Sequence, residues 1–95
     1  MTQTISKLSI VIPAYNEART IHFILDKIAT VQLLNNIEKE VIIVNDCSSD
    51  DTKAAVERYM QNSTLPIVLY NHEVNKGKGA ALHTGIKQAT GDLVV

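Results

Sequence analysis

Residues 41–52 read Val41-Ile42-Ile43-Val44-Asn45-Asp46-Cys47-Ser48-Ser49-Asp50-Asp51-Thr52. Four β-branched aliphatic residues in a row leave no polar side for solvent, as in a strand covered on both faces. The polar run that follows cannot continue such a strand. Asp50 and Asp51 then gather where a helix start favours negative charge. Ala55, Val56, Tyr59 and Met60 recur at helical spacing just beyond. A buried strand, a polar loop and an amphipathic helix therefore sit in tandem, which is one unit of an α/β sheet.

The same unit repeats on either side. Upstream, Leu8-Ser9-Ile10-Val11-Ile12 reads as a strand stopped by Pro13. Ile21, Ile24, Leu25 and Ile28 follow at helical spacing, with His22, Asp26 and Lys27 off that face; Asn16 is a candidate cap and Glu17 falls in the first turn. Downstream, Ile67-Val68-Leu69-Tyr70 is a third strand. Ala81, Leu82, Gly85, Ile86 and Ala89 form the buried stripe of a third helix, with Gly85 letting it approach the sheet closely. Leu93-Val94-Val95 opens a fourth strand. The order βαβαβαβ predicts right-handed crossovers and a Rossmann-like parallel sheet with flanking helices. Residues 1–95 read as one domain, and a chain ending inside an apolar strand reads as a truncation.

Composition narrows the function classes. The 95 residues are 45% hydrophobic, a globular rather than disordered balance. Nine basic and ten acidic residues give a net charge of -1 and no broad electrostatic footprint for nucleic acid. Cys47 is the only cysteine, so an internal disulfide and a cysteine-based zinc site are excluded, and a reducing compartment is expected. The opening Met1–Lys7 lacks the basic and apolar regions of a secretory signal. No apolar run approaches the ~20 residues of a membrane span. These features predict a cytoplasmic location, or the cytoplasmic face of a membrane in a longer parent.

In an open parallel sheet, ligands bind beyond the carboxyl ends of the strands. Three loops belong there: 13–17, 45–50 and 72–79. Tyr15 offers an aromatic face to a nucleobase, or packs at the loop edge. Asp46 accepts from the N–H edge of uracil or guanine, or stabilises its own turn. Glu17 reaches ribose hydroxyls, or complements the first helix dipole. Lys76 and Lys78 flank Gly77 beside a helix start, an anion site if they converge and two solvated lysines if they do not. His22, His72 and His83 lack metal-ligand spacing and read as surface or supporting residues. Three phosphate-binding patterns are absent: a Walker-type loop, a G-x-G-x-x-G after the first strand, and the paired acids of a phospho-acceptor receiver.

Ser9 to Glu17, Val44 to Thr52, Asn75 to Gly85 and Ala89-Thr90-Gly91-Asp92 together resemble the successive motifs of family 2 glycosyltransferases, which share the GT-A fold. The likeness runs from about Lys7 to Val95. The Asn75-Lys76-Gly77-Lys78-Gly79-Ala80-Ala81 segment is most similar to the polyprenyl- or dolichol-phosphate sugar transferases. The resemblance implies a nucleotide sugar against Pro13, Ala14, Tyr15 and Glu17, with Val44 and Asp46 facing the base and Lys76, Gly77 and Lys78 bordering the diphosphate. Asn45 and Cys47 depart from the family's Asp and Gly, and Cys47 is strained if that position has positive φ.

The resemblance further implies an inverting glycosyltransferase in the full-length parent. It would use a UDP- or GDP-sugar and pass the sugar to a polyprenyl phosphate or a growing glycan. The divalent metal, Mg or Mn, would be held by a D-x-D just past Val95, so these residues are expected to hold no metal and no catalytic residue, and to be inactive alone. Two other readings share the strand–helix order. A flavodoxin-like or receiver-like binding module assigns no role to Asp46 or to Lys76-Gly77-Lys78-Gly79. A sugar-nucleotide pyrophosphorylase expects a glycine- and arginine-rich first loop, which Tyr15-Asn16-Glu17 is not.

Overall fold

The computed structural model describes residues 6–31 and 37–95. Residues 1–5, most of the opening stretch read as carrying no secretory signal, lie outside the described residues. The elements run β1 (Lys7–Ala14), α1 (Ile21–Thr30), β2 (Glu38–Asn45), α2 (Thr52–Gln61), β3 (Ile67–Asn71), α3 (Lys78–Gln88) and β4 (Leu93–Val94). The strands form one sheet in the order β3-β2-β1-β4, and every neighbouring pair is parallel. This is the α/β arrangement that the alternation of patterns predicts.

The four apolar residues of β2 explain the layering. Val41 and Ile43 point to one face, and Ile42 and Val44 to the other; all four are at most 1% exposed. On the first face they join Ala14, Ile21, Leu25 and Val56, so α1 and α2 cover it. On the second they join Val11 and Ala81 beneath α3. Gly85 sits so close to β1 that a Cβ there would overlap Val11 Cγ1. The close approach expected of this glycine is therefore built into the contact between α3 and the sheet.

Three expectations about elements need correction. Pro13 does not end β1, which runs on to Ala14 and pairs Pro13 with Val44. Val11 N donates to Val95 O at 2.9 Å, so the amides of alternate residues face the β4 side. Pro13 lies two residues further on, past the end of that pairing, where its missing N–H removes no ladder bond. Ile24 is 41% exposed and Ile86 is 53% exposed, so neither belongs to the buried stripe of its helix.

The strand starts are tied by a polar clasp. Glu40 Oε2 accepts from the Ser9 hydroxyl at 2.5 Å, from Thr90 N at 2.8 Å and from the Thr90 hydroxyl at 2.9 Å. Lys7 Nζ lies 3.4 Å from Glu40 Oε1. Gly91 N donates to Ser9 Oγ at 2.8 Å, and Asp92 Oδ2 accepts from Ser6 N at 2.9 Å and Lys7 N at 3.1 Å. Burial pushes the Glu40 carboxyl up, but these hydrogen bonds and the Lys7 charge outweigh it and hold its pKa at about 2. The Ala89-Thr90-Gly91-Asp92 segment thus anchors β4 at the edge opposite the ligand loops.

Candidate functional site

At the carboxyl ends of β1, β2 and β3, the three polar loops meet around a cavity of about 290 Å³. Pro13, Ala14, Tyr15, Glu17, Asp46, Asn75, Gly77, Lys78 and Ala81 line it. Seven of these are residues singled out in the sequence. Val44 and Lys76 are not in the lining. Val44 is fully buried in the layer beneath α3, which covers the face of β2 that carries its side chain. Lys76 contributes its backbone instead, as described below. Asn75 and Ala81 were not expected in the wall.

The first two loops are locked to each other. Asn16 adopts φ 54, and its side-chain oxygen accepts from Ser49 N at 2.8 Å and from Asp50 N at 3.3 Å. It therefore fastens the second loop rather than capping α1, which begins only at Ile21. In return, Asn16 N donates to Ser48 Oγ at 2.9 Å and Glu17 N donates to Thr52 Oγ1 at 2.8 Å. Asn45 keeps the turn role expected of it, with Oδ1 accepting from Ser48 Oγ at 2.6 Å. Cys47 has φ 55, the left-handed conformation that favours glycine, so the strain foreseen for it is present.

Asp46 is only 3% exposed. Its Oδ1 accepts from Lys76 N at 2.9 Å and faces His72 Nδ1 at 2.8 Å, while Oδ2 accepts from Gly77 N at 2.8 Å. Burial raises its pKa; the Lys76 amide, His72 and the Gly77 amide more than reverse that and hold it below the usual carboxylate range. One buried anion thus clamps the third loop to the second. His72, read from sequence as a surface or supporting residue, is a part-buried supporting link, and its Nε2 lies 2.9 Å from Thr84 Oγ1 on α3. A histidine just past a strand carries no local signal of this role, since its partners are 26 and 12 residues away.

The clamp presents the start of α3 to the cavity. Gly77 takes φ 92 as the residue before the helix, and no side chain caps it. The first helical bond runs from Ala81 N to Gly77 O, leaving the amides of Lys78, Gly79 and Ala80 without helical partners. A Cβ placed on Gly79 would meet nothing within 4 Å, so there is room for a ligand over these donors. Together with the Lys78 ammonium they form a positive end suited to a phosphate oxygen. Tyr15, 49% exposed, also lines the cavity. Glu17 spends one carboxylate oxygen on the Thr20 hydroxyl at 2.6 Å.

A broader depression of about 590 Å³ lies at the strand starts, beside Lys7, Ile37, Glu38, Lys39 and Pro66. Its lysines are already engaged, Lys7 with Glu40 and Thr90, and Lys39 with the Ile28 and Val31 carbonyls at 2.6 Å, so the chemistry points to the loop cavity. Among the described residues, no three His, Cys, Asp or Glu side chains are grouped to hold a metal ion. Among them, too, no helix is long and apolar enough to cross a membrane.

Comparison with known proteins agrees with this geometry. Residues 9–95 match the family model for glycosyl transferase family 2. The chain is 38% identical over 93 residues to the poly-β-1,6-N-acetyl-D-glucosamine synthase of Staphylococcus epidermidis, covering 98% of this chain and 21% of that protein. It is 40% identical over 95 residues to the dolichyl-phosphate β-glucosyltransferase ALG5A of Trichomonas vaginalis, covering 93% and 28%. Its fold is similar to the mannosyltransferase PcManGT of Pyrobaculum calidifontis, solved with GDP-Man and Mn2+, with a TM-score of 0.84, 34% identity and 98% and 27% coverage. It is also similar to TarS 1-349 of S. aureus, solved with UDP-GlcNAc, with a TM-score of 0.82, 33% identity and 94% and 25% coverage. The chain thus spans less than a third of the length of these relatives.

Proposed function

The chain belongs to glycosyl transferase family 2, and on that premise we propose that its loop cavity holds the nucleotide part of a UDP- or GDP-sugar donor in an inverting sugar transfer. The observation that carries this reading is the convergence on one cavity of the Tyr15 ring, the Asp46 carboxylate and the uncapped α3 start with Lys78. A base lies against Tyr15 and Pro13, the ribose near Glu17, and the diphosphate over the free amides of α3. Val44 and Lys76 act from behind the wall, Val44 by packing and Lys76 through its amide. Family membership displaces the flavodoxin-like or receiver-like reading, which assigns Asp46 and the Lys76–Gly79 loop no role, and the pyrophosphorylase reading, whose first loop Tyr15-Asn16-Glu17 does not match.

The rest of the reaction is proposed for a longer parent acting in the cytoplasm or at the cytoplasmic face of a membrane. A divalent metal, Mg or Mn, would stabilise charge on the departing diphosphate, and the described residues do not supply its ligands. The acceptor is a polyprenyl phosphate or a growing glycan. Residues 1–95 form a donor-binding domain, and purified by themselves they should bind nucleotide without turning over a sugar donor. Sugar transfer by the purified 95-residue chain would contradict that assignment.

Calorimetric titration with UDP, GDP and ADP tests the site. Adenine lacks a ring N–H beside its amino group, so ADP should bind most weakly. Asp46→Asn should weaken the preference. Equal affinity for all three nucleotides in the unaltered chain would remove Asp46 from the base subsite.

A further inference from the structure

Behind Asp46 lie two part-buried residues, His72 and Thr84, to which the function just described gives no role. A carboxylate offers about four acceptor positions over its two oxygens. On Asp46, Lys76 N at 2.9 Å and His72 Nδ1 at 2.8 Å fill those of Oδ1, and Gly77 N at 2.8 Å takes one of Oδ2. A carboxylate cannot donate, so Nδ1 carries the proton in this contact. Thr84 Oγ1, 2.9 Å from Nε2, holds the other end of the ring. The ring is thus fixed at both nitrogens, and together with the Lys76 and Gly77 amides it fixes the plane of the carboxylate. The neighbouring Lys76 and Gly77 amides, one to each oxygen, close the edge that a paired donor would need. A single acceptor position, on Oδ2, remains for a molecule in the cavity.

We propose that His72 is a positioning residue for base selection: by holding Asp46 with one acceptor free, it makes the site read a uridine nucleotide in preference to a guanosine one. Uracil presents one ring N–H between two carbonyls, and one acceptor satisfies it. Guanine presents its N1–H and amino group side by side, and one of the two donors is left without a partner. The inference rests on the nucleotide-binding reading above.

The test is the ratio of UDP to GDP affinity in the whole 95-residue chain, measured by calorimetry. UDP should bind at least roughly tenfold more tightly, which is about 1.4 kcal/mol. In His72→Phe the Lys76 and Gly77 amides remain, but an acceptor position on Oδ1 opens beside the one on Oδ2, so the lead of UDP over GDP should shrink. His72→Asn, whose amide can replace the Nδ1 donor, should keep the lead. Thr84→Val, which frees the far end of the ring, should reduce it in the same direction and serves if His72→Phe does not fold. A merely structural role would lower both affinities together and leave the ratio alone. GDP binding as tightly as UDP in the unaltered chain, or an unchanged ratio in the folded variants, overturns the inference and leaves the nucleotide site standing. Binding of neither nucleotide overturns both.

Discussion

Cys47 sits at φ 55 with its Sγ 3.4 Å from Glu73 O, a weak contact set against an unfavourable backbone. A left-handed L-residue costs about 1–2 kcal/mol, and part of this gain is offset by the greater unfolded freedom of glycine. Cys47→Gly is therefore expected to stabilise the chain by about 0.5–1 kcal/mol, read from denaturant midpoints at constant slope. Asn16 occupies the same region at φ 54 but is held there by Ser49 and Asp50. It tolerates the conformation better than most residues because its short side chain bonds locally. Cysteine has no such compensation.

Among the elements, α3 depends most on a single small residue. Its approach to β1 leaves no room at Gly85, where an added methyl would overlap Val11 Cγ1 and come within 3.4 Å of Val44 Cγ2. Gly85→Ala should destabilise by about 1–3 kcal/mol despite the better helix propensity of alanine. Thermal melts of the variant would show it, and an unchanged midpoint would mean that α3 can retreat from the sheet. This contact was legible in the sequence because Gly85 falls on the apolar stripe of a helix. The ends of β1 and α1 were not. Pro13 looks like a strand terminator, yet β1 runs on to Ala14 and pairs Pro13 with Val44. Asn16 looks like a helix cap, yet its oxygen is taken by residues 33 and 34 positions away. Val44 was placed against the base by the family resemblance, but α3 covers the face of β2 on which it lies, and it packs there with Ala81. Local pattern fixes which face a residue prefers, and it cannot report which distant amide claims a side chain.

For the molecule as a whole, stability should depend on acid through the clasp at the strand starts. The Glu40 pKa of about 2 in the folded chain lies below its ordinary value of 4.5. A depressed folded-state pKa contributes stability that is full above the ordinary value and is lost as pH falls through the folded one. Asp46 and Asp92 are shifted in the same direction, Asp46 by the partners already named and Asp92 by the amide and hydroxyl of Ser6 and the amide of Lys7. Urea unfolding at pH 7 and at steps below 4.5 should therefore show stability falling toward pH 2, with a shallower fall in Glu40→Gln. A flat profile would mean that the clasp persists in the unfolded chain or is not formed in the folded one.

The interlock of Asn16 with Ser48, Ser49 and Asp50 joins two of the three loops around the cavity without help from any bound molecule. Their freedom is surrendered when the chain folds, so an arriving nucleotide has mainly the third loop and a few side chains left to order. Less of its interaction energy is then consumed by arranging the protein.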